Sequence, residues 1–141
     1  MNEPLPIRRL DPAAVLPTRA HPDDAGLDLY ALEDSVVPPG EGRLLRTGVA
    51  VAVPGGHVGL VCDRSSLAKR GLKTAGGVID AGYRGELGIL IWNLSREPQP
   101  VKKGERCAQL LVIPIAVPAP VESADLGETA RGAGGFGSTG R

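Results

Sequence analysis

Short apolar or alternating runs, each stopped by glycine or proline, recur along this chain. Their spacing is roughly the eight to twelve residues of sandwiches and barrels, which predicts an all-β fold. Ile7 to Leu10 can form a first strand, and Pro12, Pro17 and Pro22 keep the loop after it extended. AGLDLYA, residues 25–31, alternates from Leu27 to Tyr30, so Asp28 faces away from Leu27 and Leu29. Pro38-Pro39-Gly40 is a turn, and Leu44 to Val53 is strand-like with a break at Gly48 that suggests a bulge. Pro54-Gly55-Gly56 turns the chain into a strand from Val58 to Cys62. LGILIWNL, residues 87–94, predicts a central strand covered on both faces, with Trp92 in the core or a subunit interface. A loop from Arg96 to Pro100 leads towards RCAQLLVIPI, residues 106–115, whose one uncharged amide is Gln109.

Two stretches interrupt the pattern. In DRSSLAKRG, residues 63–71, Ser65 is placed to cap a short helix through Leu67, Ala68 and Lys69, with Gly71 as the stop. In GGVIDAGYRGELG, residues 76–88, a strand ending in Val78 and Ile79 meets Asp80, reverses at Ala81-Gly82 and continues through Tyr83, Arg84 and Glu86. The natural expectation is a β-hairpin whose tip carries a carboxylate, a phenol and a guanidinium.

Composition narrows the class. The 141 residues suit one domain, and 42% hydrophobic content favours folding. Twenty Gly and 13 Pro oppose long helices, and 3% aromatics leave the core to Val, Ile, Leu and Ala. A formal net charge of zero and the absence of a basic stripe argue against nucleic-acid binding. No apolar run reaches the ~18 residues of a membrane span, and MNEPLPIRRL lacks the apolar segment of a signal peptide, so a cytoplasmic protein is expected. Cys62 and Cys107 sit in apolar stretches without a CxxC pair, and His21 and His57 are far apart; buried reduced thiols are a better reading than zinc ligands. After Pro120 the composition turns small, polar and Gly-rich, predicting a body over residues 1–120 and a flexible tail over 121–141.

Each piece of candidate chemistry has a bland reading beside it. Asp28 is either a solvent-facing strand residue or a functional acid. Arg64, Ser65 and Ser66 form either an anion site at a helix start or part of a plain connector. Gln109 is either a structural bracket or a ligand contact, because a buried amide needs partners. The tail combines Arg131, Phe136, Ser138 and Thr139 with glycines that allow backbone N–H groups to wrap a phosphate. Its GxGxxG match at Gly132, Gly134 and Gly137 lacks the strand and helix of a dinucleotide fold and is rejected. Together these groups suit a polyphosphate ligand carrying a planar base, with a divalent metal held mainly through the phosphates.

With its motifs assembled, the chain resembles the trimeric-type deoxyuridine triphosphatases (dUTPases). Five motifs of that family occur in order: AGLDLYA at 25–31, DRSSLAKRG at 63–71, GGVIDAGYRGELG at 76–88, ERCAQLL at 105–111 and RGAGGFGSTG at 131–140. The resemblance implies a jelly-roll-like β-barrel or sandwich and a homotrimer whose tails close over neighbouring sites. It implies hydrolysis of dUTP to dUMP and pyrophosphate by water attack at the α-phosphorus. That reaction limits uracil incorporation into DNA and supplies dUMP for thymidylate synthesis. Mg2+ is implied, bound mainly through the triphosphate. By the same resemblance, Asp80 holds the attacking water and contacts the 3′-hydroxyl. Tyr83 packs under the deoxyribose, and backbone around Gly77, Val78, Ile79 and Gly88 reads uracil. Arg64, Ser65, Ser66 and Gln109 hold phosphates, and Asp28 binds metal-coordinated water. Arg131 and Ser138 clamp the γ-phosphate while Phe136 stacks on uracil between Gly135 and Gly137.

Three positions depart from the family pattern. Asp63 stands where an uncharged residue is common, either pairing with Arg64 or weakening phosphate affinity. The segment from Gly71 to Asp80 is short, leaving uracil to Thr74 or to backbone groups. Cys107 replaces an aliphatic residue. Two rivals share the fold: a dCTP deaminase-like enzyme, for which Glu86 is the nearby candidate carboxylate, and a non-hydrolysing nucleotide-binding relative. A structural Arg–Glu role suits Glu86 better, and Asp80 and Arg131 speak against loss of hydrolysis.

Overall fold

The computed structural model describes residues 3–137. Among them are eleven strands and one helix of five residues, so the all-β expectation holds. The strands are β1 Ile7–Arg9, β2 Leu27–Tyr30, β3 Ser35–Val37, β4 Gly42–Arg46, β5 Val49–Val51, β6 His57–Cys62, β7 Leu72–Ala75, β8 Val78–Ile79, β9 Gly88–Asn93, β10 Gln99–Val101 and β11 Arg106–Pro114. The helix α1, Ser65–Lys69, sits between β6 and β7. All pairing between strands is antiparallel, in sheets ordered β2-β11-β6-β8, β4-β9-β7, β1-β5 and β10-β3.

The core is aliphatic, as the scarcity of aromatics requires. Leu29, Val37, Val51, Leu72, Leu87, Ile89 and Leu110 are fully buried within it. Two buried polar groups are satisfied internally. The Thr47 hydroxyl donates to the Leu87 carbonyl at 2.7 Å, and Asn93 Nδ2 donates to the Val37 and Glu97 carbonyls at 2.9 and 2.7 Å. Cys107 is buried and its thiol is pushed up to about 12 by desolvation, whereas Cys62 is only half-buried; both are free.

Four sequence expectations change. Gly48 is a junction rather than a bulge: β4 ends before it in the β4-β9-β7 sheet, and β5 begins after it beside β1. Its φ of +71° and the 2.9 Å between an ideal Cβ there and the Ala14 methyl both demand glycine. The hairpin at residues 76–88 does not form, because β8 pairs with β6 while β9 pairs with β4 and β7. β9 is central in its sheet but covered on one face only: Ile89, Ile91 and Asn93 point inward, and Trp92 stays 42% exposed. Lastly, β3, β7 and β10 were not anticipated; β10 lies partly within the expected loop after Arg96 and contains Pro100.

Candidate active site

Two cavities flank β6, one at each end. The first lies at the β8–β9 crossing. Gly77 enters β8 with φ +91°, and an ideal Cβ there would lie 2.8 Å from the Val61 carbonyl oxygen, so only glycine fits. Asp80 follows β8, and the Tyr83 N–H donates to the Asp80 carbonyl at 3.0 Å, closing a four-residue turn. The Asp80 side chain is exposed and, among the described residues, has no hydrogen-bond or ion-pair partner. The Tyr83 hydroxyl donates to the Glu86 carbonyl at 2.8 Å. Its ring lies against Gly85, where an ideal Cβ would sit 2.6 Å from Tyr83 Cζ. Asp80 and Tyr83 thus share the wall of a cavity of about 330 Å³ with Val78, Ile79, Leu44 and Gly88. Leu44, which packs over Gly88, was not anticipated from the sequence.

Glu86 lines the same cavity, but its carboxylate is engaged by Arg46. Arg46 Nε and Nη2 donate to its two carboxylate oxygens at 3.1 and 3.0 Å. Hydrogen bonding from Arg46 keeps the Glu86 carboxyl below its usual range despite partial burial, and the same bond raises Arg46. The structural reading of Glu86 holds.

The second cavity, about 360 Å³, opens beyond the other end of β6. Asp28, Gln109 and Cys62 lie side by side across β2, β11 and β6. Asp28 divides its oxygens between Arg64 Nε at 3.2 Å and Arg106 Nη1 at 3.6 Å, and its side chain is 14% exposed. It is therefore a covered clamp residue, not a free solvent-facing acid. Arg64 also donates to the Arg106 carbonyl at 3.2 Å and to Ser66 Oγ at 3.4 Å. Ser65 does not cap the helix: Arg64 holds the N-cap position, with no side-chain cap bond, and Ser65 is the first helical residue. Both Arg64 and Ser65 line the cavity. Gln109 acts as a bracket, donating from Nε2 to the Asp63 carbonyl at 2.7 Å, and it also lines the cavity. A side chain at Gly26 would collide with its amide oxygen. Arg106 was missed in the sequence because it opens a strand as an ordinary exposed cation; only its approach to Asp28 marks it.

Asp63 does not pair with Arg64. Its carboxylate meets Lys73 Nζ at 2.8 Å and accepts from the Thr74 N–H and hydroxyl, each at 2.7 Å. Burial pushes this carboxyl up, but the bonds from Lys73 and Thr74 outweigh it and hold it below its usual range. Thr74, 8% exposed, is thereby committed to Asp63.

From Val121 to Gly137 the chain forms neither strand nor helix. Among the described residues, the hydrogen bonds of this stretch stay within it, including Arg131 Nε to the Gly134 carbonyl at 2.6 Å. Phe136 is fully exposed at φ +50°, between Gly135 and Gly137. The chain's own fold therefore brings Arg131, Gly135, Phe136 and Gly137 to neither cavity. Ser138 lies outside the described residues.

No group of three or more His, Cys, Asp or Glu residues among the described residues is arranged to hold a metal ion. Both Asp28 oxygens are engaged by arginines.

A family model described as dUTPase matches residues 13–140. The chain is 52% identical to the deoxyuridine 5'-triphosphate nucleotidohydrolase of Nocardia farcinica, across 97% of this chain and 86% of the relative. It is 50% identical to that of Mycobacterium marinum, across 99% and 97% of the two chains. Among solved structures it is similar to the Staphylococcus bacteriophage 80alpha dUTPase with dUpNHpp, at TM-score 0.89 and 33% identity, covering 99% of this chain and 100% of that one. It is also similar to a mutant dUTPase from phage phi11 of S. aureus, described with a structural Mg(II) ion, at TM-score 0.81 and 31% identity, covering 88% and 99%.

Proposed function

The chain belongs to the dUTPase family, with its jelly-roll-like β fold, and hydrolyses dUTP; we propose that it does so in a site shared between copies of the chain. The observation that carries this reading is the unengaged Asp80 carboxylate beside Tyr83, in a cavity separate from the arginine-lined one. Ile79 pairs with Gly59, near one end of β6, while Arg64 lies beyond the other. Gly59 and Arg64 are five residue steps apart, the first three within β6, a reach of at most roughly 16 Å at ~3.3 Å per residue. A base and sugar against one chain's turn and phosphates against another's arginines use both cavities at once.

In this reading Asp80 orients the water and accepts its proton as attack proceeds at the α-phosphorus, giving dUMP and pyrophosphate. Asp80 also meets the 3′-hydroxyl. Tyr83, braced on Gly85, lies beneath the deoxyribose and leaves no room for a ribose 2′-hydroxyl. The backbone of Gly77, Val78, Ile79 and Gly88 reads the uracil edge. Arg64, Arg106, Ser65, Ser66 and Gln109 hold phosphate oxygens, the arginines contributing fixed positive charge where charge develops. Asp28 would order a water of a Mg2+ ion held mainly by the triphosphate, and that ion would supply further charge neutralisation. Arg131, Gly135, Phe136, Gly137 and Ser138 close over a neighbouring copy's site, with Arg131 on the terminal phosphate and Phe136 on the base. Closure excludes water and aligns the phosphates.

The assembly in this reading is the homotrimer that the family resemblance implies; light scattering should give three times the 14.6 kDa of one chain. No helix among the described residues is long and apolar enough to cross a membrane. The free Cys62 and Cys107 suit a reducing cytoplasm. The deciding assay is pyrophosphate release from dUTP with and without Mg2+, beside dCTP, dTTP and UTP. Magnesium-dependent release from dUTP alone is expected. Deamination of dCTP, or tight binding of dUTP without release, would overturn the reading.

A further inference from the structure

Asp63 occupies an unusual place in the fold. It follows β6 and precedes Arg64, and its carbonyl is the acceptor that holds the Gln109 amide at 2.7 Å. Its carboxylate reaches to β7, a strand that is hydrogen-bonded to β9 and not to β6. The tie therefore joins two sheets at the corner that presents Arg64 and Gln109. Its two oxygens are used differently. Oδ1 accepts both bonds from Thr74, whereas Oδ2 faces Lys73 Nζ at 2.8 Å. Lys73 is steadied by a bond to the Thr74 carbonyl at 2.9 Å, yet its side chain remains 56% exposed.

A carboxylate one residue from Arg64 would oppose a polyanion in the neighbouring cavity unless its charge were cancelled nearby. We propose that Asp63 is a positioning residue for the phosphate grip and that Lys73 is its counter-charge. One carboxylate oxygen anchors the Arg64–Gln109 corner to β7, and the other is neutralised so that the anchor does not repel the triphosphate. The inference rests on the reading of Arg64 and Gln109 as phosphate-binding groups.

The division between the oxygens supplies the test. Asp63→Asn retains an Oδ1 acceptor for Thr74 and removes the charge; Lys73→Met removes the counter-charge from an exposed position. KM and kcat for dUTP are measured for both variants and for their combination, at low and high salt. Binding of dUMP and dUpNHpp is measured alongside, with thermal melts to verify folding. At low salt Lys73→Met should raise KM about three- to tenfold, with kcat little changed. It should weaken dUpNHpp more than dUMP, and the effect should shrink at high salt. The double variant should return to near the wild-type KM. An unchanged KM in Lys73→Met overturns the proposal. So does an equal loss for dUMP and dUpNHpp, or a defect that Asp63→Asn leaves unrescued. An Arg64→Met control separates the two levels. Unchanged dUpNHpp affinity there removes the phosphate site itself and the proposal with it. Loss of affinity there, with Lys73→Met silent, overturns the proposal and leaves the phosphate site standing.

Discussion

Tyr83 rests on Gly85: an ideal Cβ at Gly85 would come within 2.6 Å of Tyr83 Cζ, while the Tyr83 hydroxyl bonds the next residue's carbonyl at 2.8 Å. The absence of one methyl group at Gly85 thus sets the ring's position beside Asp80. Gly85 lacks a positive φ, so alanine there is free of backbone strain and acts on the ring alone. Gly85→Ala should lower kcat/KM for dUTP about tenfold or more, since displacing a positioning group by ~1 Å is costly. Discrimination against UTP should narrow with it. Paired kinetics on the two nucleotides, with a melting curve near wild type, would establish this.

Asp80 is exposed and its carboxylate unengaged among the described residues, so replacing it should disturb little structure. Asp80→Asn should reduce kcat by about 10²-fold or more, the scale of a lost general base. Affinity for dUpNHpp, read by calorimetry, should remain within a few-fold of wild type. A large loss of affinity with kcat intact would assign Asp80 to binding instead.

The depressed carboxyls of Asp63 and Glu86 make stability depend on pH. A carboxyl held below its unfolded value contributes stability above that value and loses it as pH falls through the folded one. Melting temperature should therefore be flat near neutrality and fall as pH drops below about 4.5, the ordinary carboxylate region. Glu86→Gln should flatten part of that slope and lower the neutral melting temperature modestly, because Arg46 is half exposed and its pairing is screened. An identical slope in Glu86→Gln would show that the Arg46 pair carries none of it.

Because the hydrogen bonds of residues 121–137 stay within that stretch, removing the chain from Arg131 onward should leave the melting temperature unchanged. Turnover should nonetheless fall strongly, by about two orders of magnitude if closure aligns the phosphates. Phe136→Ala should reproduce a smaller part of the loss, about tenfold, for one stacking contact of ~1–3 kcal/mol. Mixing the truncated chain with an Asp80→Asn chain would reveal whether tails act on neighbours: regained activity requires exchange between copies.

Features that depend on a few adjacent residues were legible in the sequence. The turn at Pro54-Gly55-Gly56, the alternation through Leu27–Tyr30, the short helix and the lack of strand or helix over residues 121–137 all appear where the chain chemistry places them. Those signals are local: glycine permits φ values other residues avoid, proline withdraws a donor, and a pleated strand alternates faces. The Asp80–Tyr83 turn and the motif order, and through them the family, were legible for the same reason. Partner choice was not. Residues 76–88 read as a hairpin, yet β8 paired with β6 while β9 paired with β4 and β7, partners that lie far off in sequence. Ser65 read as a cap, but the turn placed Arg64 there. Arg106 on Asp28, Asp63 on Lys73 and Thr74, and Arg46 on Glu86 join residues distant or unremarkable in sequence. Such pairs form only when the core has fixed the strands that carry them. Local chemistry determined most of the elements this chain makes and the candidate groups it carries; tertiary packing decided which charges meet, because that depends on register across sheets and not on spacing along the chain.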